Sequence, residues 1–437
     1  MATPVRGGDD NVLLWNWNDL VAWSQQQGPT SRLSSVQEQI TQSRVREAEA
    51  DSTVRVLAGA SLARVREPVT DELSRSYERT QAQAGIRWGL LGASETQARQ
   101  LLDAHANQTL GKTESEAREL QARVELAKFY NAYVRSQQRE QIVRLFLEGR
   151  ESIAARLQQR TQGGAMLQAE KLSLLRLYDE AAMTQAREQN AQKAALRQME
   201  FLTGQTLVPR QAPPAGASHA CLTPQALEKA TTSHPLLLKA KQAASWAEER
   251  LNLRRYGGVE AGVQIGYALT HDFGGSNGHN TVIGVDISIP WEWKAQQNAR
   301  KAQDRGYRDE AEEKYAQLLR QFELESRQAW DAWQLEEQNI QNQTRHFAAA
   351  MEALRVARLR LQASDANGLA QLILAQHALH VAAMEVVDAY RKRDLAAVAL
   401  WYYAPDCPLQ EMPQDPAREI LTQTETALKN QTRKGHS

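Results

Sequence analysis

Apolar residues alternate strictly with polar or small residues along one stretch of this chain, from Val259 to Ile289. Side chains at every second position share one face of a β-strand. The alternation occurs twice, on either side of the polar segment HDFGGSNGHN, and predicts a β-hairpin with one apolar and one polar face. Transmembrane β-barrels use strands of this kind, with lipid outside and a wet lumen inside. The residues predicted to face lipid are Val259, Val263, Ile265, Tyr267, Leu269, Ile283, Val285, Ile287 and Ile289.

Two tryptophans, Trp291 and Trp293, follow the last apolar residue of this hairpin. Tryptophan is enriched at membrane interfaces, so both are candidates for that position. The competing interpretation is a half-buried hairpin that packs on a helix of the same chain. The hairpin alone does not decide between the two.

Charge and hydropathy restrict the classes of protein to which this chain can belong. The 437 residues contain 52 Lys plus Arg and 52 Asp plus Glu, so no net charge attracts nucleic acid, and we expect no nucleic-acid partner. The uninterrupted apolar runs are shorter than the 18 or more residues of a membrane-spanning helix. Any membrane crossing is therefore expected to be made by strands.

Motifs of catalysis and metal binding are missing from the sequence. The nine His are scattered, the two Cys are isolated, and no phosphate-binding loop, nucleophile elbow or dinucleotide fingerprint occurs. We therefore expect no enzymatic activity, no catalytic or cofactor-binding residues, no metal site and no cofactor.

The chain contains an internal repeat, in which a leading helix, a strand pair, a long helix and a returning helix occur twice. The long helices run for tens of residues without proline and carry a narrow apolar stripe, which is typical of coiled-coil packing. The segments predicted are an N-terminal segment, 1–30; a first repeat, 31–204, with a hairpin at about 54–91, a long helix at about 93–160 and a return helix at about 165–204; a linker, 205–222; a second repeat, 223–404, with a hairpin at about 259–290, a long helix at about 295–362 and a return helix at about 369–403; and a C-terminal segment with a polar tail, 405–437.

Four strands in one chain are too few to close a barrel, which needs at least about eight. Open strand edges in hydrocarbon leave backbone groups unpaired at a cost of several kcal/mol each. We therefore expect several copies to share one barrel. Two, three or more copies each satisfy this requirement.

Three fragments, SHPLLLKAKQAA, SIPWEWKAQQNARKAQ and ANGLAQLILAQHALHVAAMEVVDAYRKRDLAAVALWYY, together with the duplicated layout, resemble the TolC-like outer-membrane efflux protein family. The resemblance implies a mainly α-helical fold with a membrane β-barrel: a homotrimer with an α-barrel in the periplasm, an equatorial belt and a shared 12-stranded β-barrel in outer-membrane lipid. It implies an exit duct that works with a periplasmic adaptor protein and an inner-membrane transporter. Small-molecule or metal efflux is the favoured use; the alternatives are a type I protein secretion duct and a soluble coiled-coil scaffold or adaptor without a pore.

The resemblance also implies roles for individual residues. The helix breaks would lie at the periplasmic tip, where the pore is gated and the adaptor docks. The tip candidates are Arg160, Gln162, Gly163, Gly164, Asp365, Asn367, Gly368 and Gln371. Gly164 and Gly368 are expected to serve the backbone turn, and Asp365 a helix cap. Cys221 and Cys407 would both fall in the equatorial belt, where they could form a disulfide because the periplasm is oxidising.

Overall fold

The computed structural model describes residues 12–13, 16–70, 74–208, 213–217, 223–273, 277–363, 367–407, 409–412 and 414–429. Most of these residues are helical. The helices are α1 (Trp17–Gln27), α2 (Pro29–Ala50), α3 (Ala93–Leu147), α4 (Arg150–Gln162), α5 (Gln168–Thr203), α6 (Pro224–Ser233), α7 (Pro235–Asn252), α8 (Trp293–Gln362), α9 (Gly368–Tyr403) and α10 (Pro416–Lys429). The strands are β1 (Val12–Leu13), β2 (Val54–Pro68), β3 (Ser74–Leu91), β4 (Thr206–Leu207), β5 (Ala215–Ala217), β6 (Glu260–Phe273), β7 (Asn277–Ser288) and β8 (Leu409–Glu411).

Both predicted hairpins are confirmed. Strand β2 pairs antiparallel with β3, and β6 pairs antiparallel with β7. Helix α2 precedes the first pair and α7 the second, and long helices follow each pair, with α5 and α9 returning.

The first long helix is interrupted, which differs from the continuous helix predicted at about 93–160. Helix α3 ends at Leu147 and α4 begins at Arg150, with Gly149 as its N-terminal cap. Glycine is about 1 kcal/mol less favourable than alanine inside a helix, so this position is a weak point in the helical hydrogen-bond ladder. The second long helix, α8, contains Gly306 and remains continuous over 70 residues.

The C-terminal segment contains a helix where the sequence analysis expected a polar tail. Helix α10 begins at Pro416, directly after Asp415, whose carboxylate accepts a hydrogen bond from the Ala417 amide. Proline at the first helical position and aspartate just before it are helix-start signals. One face of α10 is buried because its apolar residues recur at helical spacing. The buried residues are Ala417, Ile420, Thr424, Ala427 and Leu428.

The described residues form two compact units. The helical unit contains those of Met1–Ser34, Glu116–His234 and Leu319–Ser437, and the sheet unit those of Ser35–Ser115 and Pro235–Leu318. The apolar core of the helical unit consists of two clusters, whose members come mainly from α3, α5, α8, α9 and α10 in one cluster and from α1, α3, α5 and α9 in the other.

Helix α9 contributes many of the buried residues of this core. In the part of the chain that the structure describes, α9 is the one helix long and apolar enough to span a membrane, with a window of mean hydropathy 1.2. The sequence analysis expected only strands to cross a membrane, and α9 differs from that expectation in its length and hydropathy. However, 56% of that window is buried within the protein, as in the central helix of a bundle.

Candidate functional site

The sheet unit contains one four-stranded sheet in the order β2, β3, β6, β7. All three pairings are antiparallel, and the two hairpins are joined by β3 and β6. Residues that are paired directly across strands lie on the same face of a sheet. The register therefore decides whether the apolar sets of the two hairpins form one surface or two.

The register places the apolar sets of both hairpins on one face. Tryptophan, isoleucine, valine and tyrosine from neighbouring strands meet in rows that cross the whole sheet. Three of these rows are Val54, Trp88, Val263 and Val285; Val56, Ile86, Ile265 and Ile283; and Ala58, Ala84, Tyr267 and Thr281. We call this surface the apolar face.

The apolar face is exposed in the isolated chain. Ile283 is 75% exposed, Val285 is 69% exposed, and Ile265, Tyr267 and Leu269 are each about half exposed. On β2 the apolar residues run from Val54 to Leu62, which is roughly 26 Å at 3.3 Å per residue. The outward apolar band of outer-membrane barrels is about 25 Å tall, and strand tilt shortens the projected height somewhat.

The ends of the predicted hairpin lie just outside its strands. Val259 precedes β6 and Ile289 follows β7, where it is exposed. Trp291 is 98% exposed in the turn before α8, whereas Trp293 is the first residue of α8 and is partly buried, with the Lys294 ammonium 5.5 Å from its ring centre. The two tryptophans therefore have different surroundings, and both stay candidates for a membrane interface.

The opposite face of the sheet is polar and carries ion pairs between its two hairpins. Arg79 Nε lies 2.8 Å from Asp272 Oδ1, and Arg87 pairs with Asp286. Every glycine of the four strands also lies on this polar face, since each alternates with apolar-face residues. These glycines are Gly59, Gly85, Gly89, Gly262, Gly266, Gly278 and Gly284.

The first group of tip candidates forms the turn between α4 and α5. Gly164 has a φ of 72°, in the left-handed region that favours glycine, whereas Gly163 has a φ of −78°. The Ala165 amide donates to the Arg160 carbonyl at 2.9 Å, and the Gly164 amide donates to the Thr161 carbonyl at 3.2 Å. These two bonds define a Schellman motif, which satisfies the last carbonyls of the helix. Gln162, the last residue of α4, is exposed.

The second group lies between α8 and α9. Gly368 begins α9 and packs so closely on α8 that a Cβ atom would lie 2.9 Å from Leu361 Cα, which explains glycine there. Gln371 Oε1 accepts a hydrogen bond from Arg360 Nη1 at 3.1 Å, and Asn367 is the N-terminal cap of α9. Asp365 lies outside the described residues. The assignment of both groups to a gate stays a prediction.

The predicted disulfide also stays a prediction, because Cys221 lies outside the described residues. Cys407 is buried near the end of α9, where its carbonyl accepts a hydrogen bond from Trp401 Nε1.

The sequence analysis missed a buried ionic network in the helical unit. Arg135 of α3 is fully buried; its Nε donates to Asp394 of α9 at 2.8 Å, and its Nη1 donates to Asp415 at 2.8 Å. Gln138 also donates to Asp415. The network ties α3, α9 and the start of α10 together. Its members are far apart in sequence, so the sequence does not indicate that they pair. The local signal it offers is the Asp-Pro step at Asp415, which is typical of the start of a helix.

A second missed feature is a stack of rings in the helical unit. The Phe146 ring lies between Tyr178, at 4.5 Å, and His380, at 4.9 Å between ring centres. Burial, with a smaller contribution from His377, lowers the pKa of the His380 imidazole to about 4, and burial raises the pKa of the Tyr178 hydroxyl. His380 is therefore neutral at pH 7. The described residues contain no group of three His, Cys, Asp or Glu arranged to hold a metal ion.

Several solved structures are similar to this chain over most of its length, and they are described as membrane proteins, outer-membrane proteins or outer-membrane channels. A membrane protein from Pseudomonas aeruginosa is 18% identical with a TM-score of 0.73, and the match covers 89% of this chain and 93% of that one. The outer membrane protein VceC from Vibrio cholerae is 14% identical with a TM-score of 0.70, covering 89% and 95%. The outer-membrane channel OprN is 17% identical with a TM-score of 0.73, covering 89% of each chain. No protein-family model and no curated protein sequence matches the chain.

These similarities extend over nearly the whole chain and confirm the resemblance to TolC-like channels at the level of the fold. The mostly helical architecture, with one four-stranded sheet and two short two-stranded sheets among the described residues, matches that fold. The closed barrel expected from the resemblance is not formed by one chain, whose sheet has four strands among the described residues.

Proposed function

We infer that this chain is the protomer of an outer-membrane exit duct in a tripartite export system, with most of the chain in the periplasm. The observation that carries this proposal is the exposed apolar face of the four-stranded sheet. A soluble scaffold would cover such a face with its own helices, because large exposed apolar patches are rare on soluble monomers. Here the side chains at its centre, such as Ile283 and Val285, are mostly exposed.

The outer strands of the sheet support sharing of one barrel between copies. Strands β2 and β7 are the edges of the sheet, at 15 and 12 residues, and each is long enough to cross a membrane. Because the chain supplies an even number of alternating strands, β7 of one copy is antiparallel to β2 of the next. Two, three or more copies can therefore close the ring, and the resemblance to TolC-like channels favours three copies and 12 strands.

The glycines support a barrel with the polar face inside. Seven strand glycines lie on the polar face, whereas most of the bulky apolar residues, with exceptions such as Leu57 and Val282, lie on the apolar face. Small residues on one face allow a sheet to bend toward that face, and glycines mark such bends in barrels. The lumen would then be lined by the Arg79–Asp272 and Arg87–Asp286 pairs, and the bulky residues would face lipid.

The helix turns are the proposed tip, where a periplasmic adaptor protein would dock and an inner-membrane transporter would deliver substrate. The two glycine-containing turns support this role because each joins the end of a helix sharply to a return helix, α4 to α5 and α8 to α9. We favour small-molecule or metal efflux over type I protein secretion, since efflux is the commoner use of such ducts. The duct would act by conduction, with no catalytic step.

The test combines mass determination of the detergent-solubilised particle with conductance in a planar lipid bilayer. We expect a three-copy particle and discrete steps of current. A monomer that stays in solution without detergent and adds no conductance would refute the proposal and favour the scaffold.

A further inference from the structure

Two histidines lie one turn apart on helix α9 of the helical unit. His377 and His380 are separated by three positions, which places both side chains on the same face of the helix. Their ring centres are 5.8 Å apart, and each ring also contacts the Phe146 ring of α3. The sequence analysis described the His of this chain as scattered, and this pair is an exception.

The inner member of the pair has no hydrogen-bond partner. His380 is 5% exposed, and neither of its ring nitrogens contacts a donor or acceptor among the described residues. Most buried polar side-chain atoms in proteins have a partner, so an unpaired imidazole in the core is a candidate for binding another group. Because burial keeps this imidazole neutral at pH 7, it is in the form that binds metal ions.

A second unpaired side chain lies on the same helix. Gln376 is 4% exposed, and its Oε1 accepts no hydrogen bond from any residue that the structure describes. It precedes His380 by four positions, so the two side chains share a face of α9. A histidine that binds a metal ion through one ring nitrogen donates the N–H of the other to a nearby oxygen. Gln376 Oε1 is an acceptor available for that role.

The outer member of the pair gives access from solvent. His377 is partly buried; burial lowers the pKa of its imidazole, and the Glu180 carboxylate of α5 opposes this shift. Glu180 itself pairs with Arg176 at 2.7 Å. His377 is therefore a neutral ligand at pH 7 that an ion can reach from outside the core, with a carboxylate nearby.

The number of ligands decides the class of ion. Structural Zn²⁺ sites have four protein ligands, and Ca²⁺ needs about six or more oxygens. In the part of the chain that the structure describes, no third His, Cys, Asp or Glu completes such a set. A monovalent ion with a filled d shell, Cu⁺ or Ag⁺, is satisfied by two nitrogens. It also places one charge rather than two beside the apolar core around Phe146, where burial of charge is costly.

We propose that His377 and His380 form a binding site for one Cu⁺ ion, with Gln376 as a positioning residue that accepts the N–H of His380. Two imidazoles that share one ion through nitrogens at about 2 Å have ring centres roughly 5–6 Å apart, which includes the observed 5.8 Å. The site goes beyond the proposed export function and does not depend on it. Both ligands belong to one helix of one chain, so a particle with any number of copies contains the site.

The test is Cu⁺ binding to the full chain in detergent, with Cys221→Ser and Cys407→Ser because thiolates bind Cu⁺ strongly. Competition with a coloured Cu⁺ chelator under anaerobic, reducing conditions should give one ion per chain. X-ray absorption of the complex should show nitrogen neighbours at about 2 Å and no sulfur neighbour near 2.3 Å. A sulfur neighbour would place the ion on a methionine and overturn the site.

Substitutions test the role of each residue. His377→Gln should lower the Cu⁺ affinity more than roughly 100-fold, and Gln376→Leu roughly 10- to 100-fold, because loss of the hydrogen-bond partner behind a ligand costs that much. His380→Phe removes the other ligand, keeps a ring beside Phe146, and should bind as weakly as His377→Gln. The matched control is His346→Gln, which changes an exposed histidine of α8 and should leave the affinity unchanged.

Thermal unfolding in the presence of Ag⁺ checks that the variants stay folded. Ag⁺ should raise the unfolding temperature of the parent and of His346→Gln by a few degrees and leave that of His377→Gln unchanged. Unchanged Cu⁺ affinity in both His377→Gln and His380→Phe, or displacement of Cu⁺ by an equal concentration of Zn²⁺, would overturn the site. The export proposal would stand in either case, because particle mass and conductance test it separately.

Discussion

Replacement of Val285 by arginine should separate a lipid-facing sheet from a solvent-facing one. Val285 lies between Ile283 and Ile287 near the middle of the apolar face and is 69% exposed. Arginine at the midplane on the lipid face of an outer-membrane barrel costs about 2–4 kcal/mol, falling to about 0–1 kcal/mol near the interfaces. At 1.4 kcal/mol per factor of ten, the midplane cost lowers the folded-to-unfolded ratio roughly 30- to 700-fold. On a solvent-exposed sheet the same change stays within about 0.5 kcal/mol.

The assay is urea unfolding in lipid vesicles, followed by the fluorescence of the tryptophans. Two control variants on the same strand segment test whether the cost of arginine depends on its position along the strand and on the face of the sheet. Ile289→Arg lies at the end of the apolar face and should cost less than Val285→Arg. Asn280→Arg lies on the polar face, which we propose lines the lumen, and should cost least.

The reasoning is refuted if Val285→Arg and Asn280→Arg change the free energy of unfolding equally, since a lipid-facing and a lumen-facing position would then be indistinguishable. A cost at Ile289 that exceeds the cost at Val285 would contradict the placement of the membrane along the strands.

Three further predictions concern the helical unit. Arg135→Ala leaves the buried Asp415 carboxylate without its cation, whereas Asp394 keeps Arg393 at 2.6 Å, and should destabilise the fold by about 3–5 kcal/mol, measured by thermal unfolding. Gly164→Ala should cost about 1–2 kcal/mol because its φ of 72° is left-handed, whereas Gly163→Ala, at −78°, should be nearly neutral in the same unfolding assay. The pKa of His380 is lowered from 6.5 to about 4 mainly by burial, so its neutral form stabilises the fold above pH 6.5 and this contribution is lost as the pH falls through 4. His380→Phe should therefore flatten the decline in stability over that pH range, and an unchanged pH profile would contradict it.

Local patterns in the sequence were sufficient to locate the four long strands and most of the helices, but not the short strands β1, β4, β5 and β8. Alternation of period two places the hairpins, because each strand has only two faces and a shift by one residue reverses them. The alternation alone assigns Val54, Trp88, Val263 and Val285 to the apolar sides of their strands, before the strand pairing is known. What the alternation could not reveal is that the two hairpins pair through β3 and β6 into a single surface.

Long-range polar contacts could not be predicted in the same way. Arg135, Asp394 and Asp415 lie on different elements, and each looks like a surface charge in its local sequence. Their burial follows from the packing of α10 on the bundle, and α10 was itself interpreted as a polar tail. Its apolar positions, such as Ile420 and Leu428, recur at helical spacing and could have identified it.

The mean hydropathy of −0.57 is typical of a soluble protein, yet it is compatible with a membrane surface in this chain. A strand that crosses a membrane needs apolar residues only at alternate positions, and the polar face of the same strand cancels them in any average. Coiled-coil seams have the same effect, because two apolar positions in seven suffice and the remainder are charged. The exposed apolar surface of this chain is therefore one face of a sheet rather than a continuous apolar segment, and we propose that lipid covers it. Composition averages over both kinds of face, so only the position of each residue on its element shows what the chain must bind.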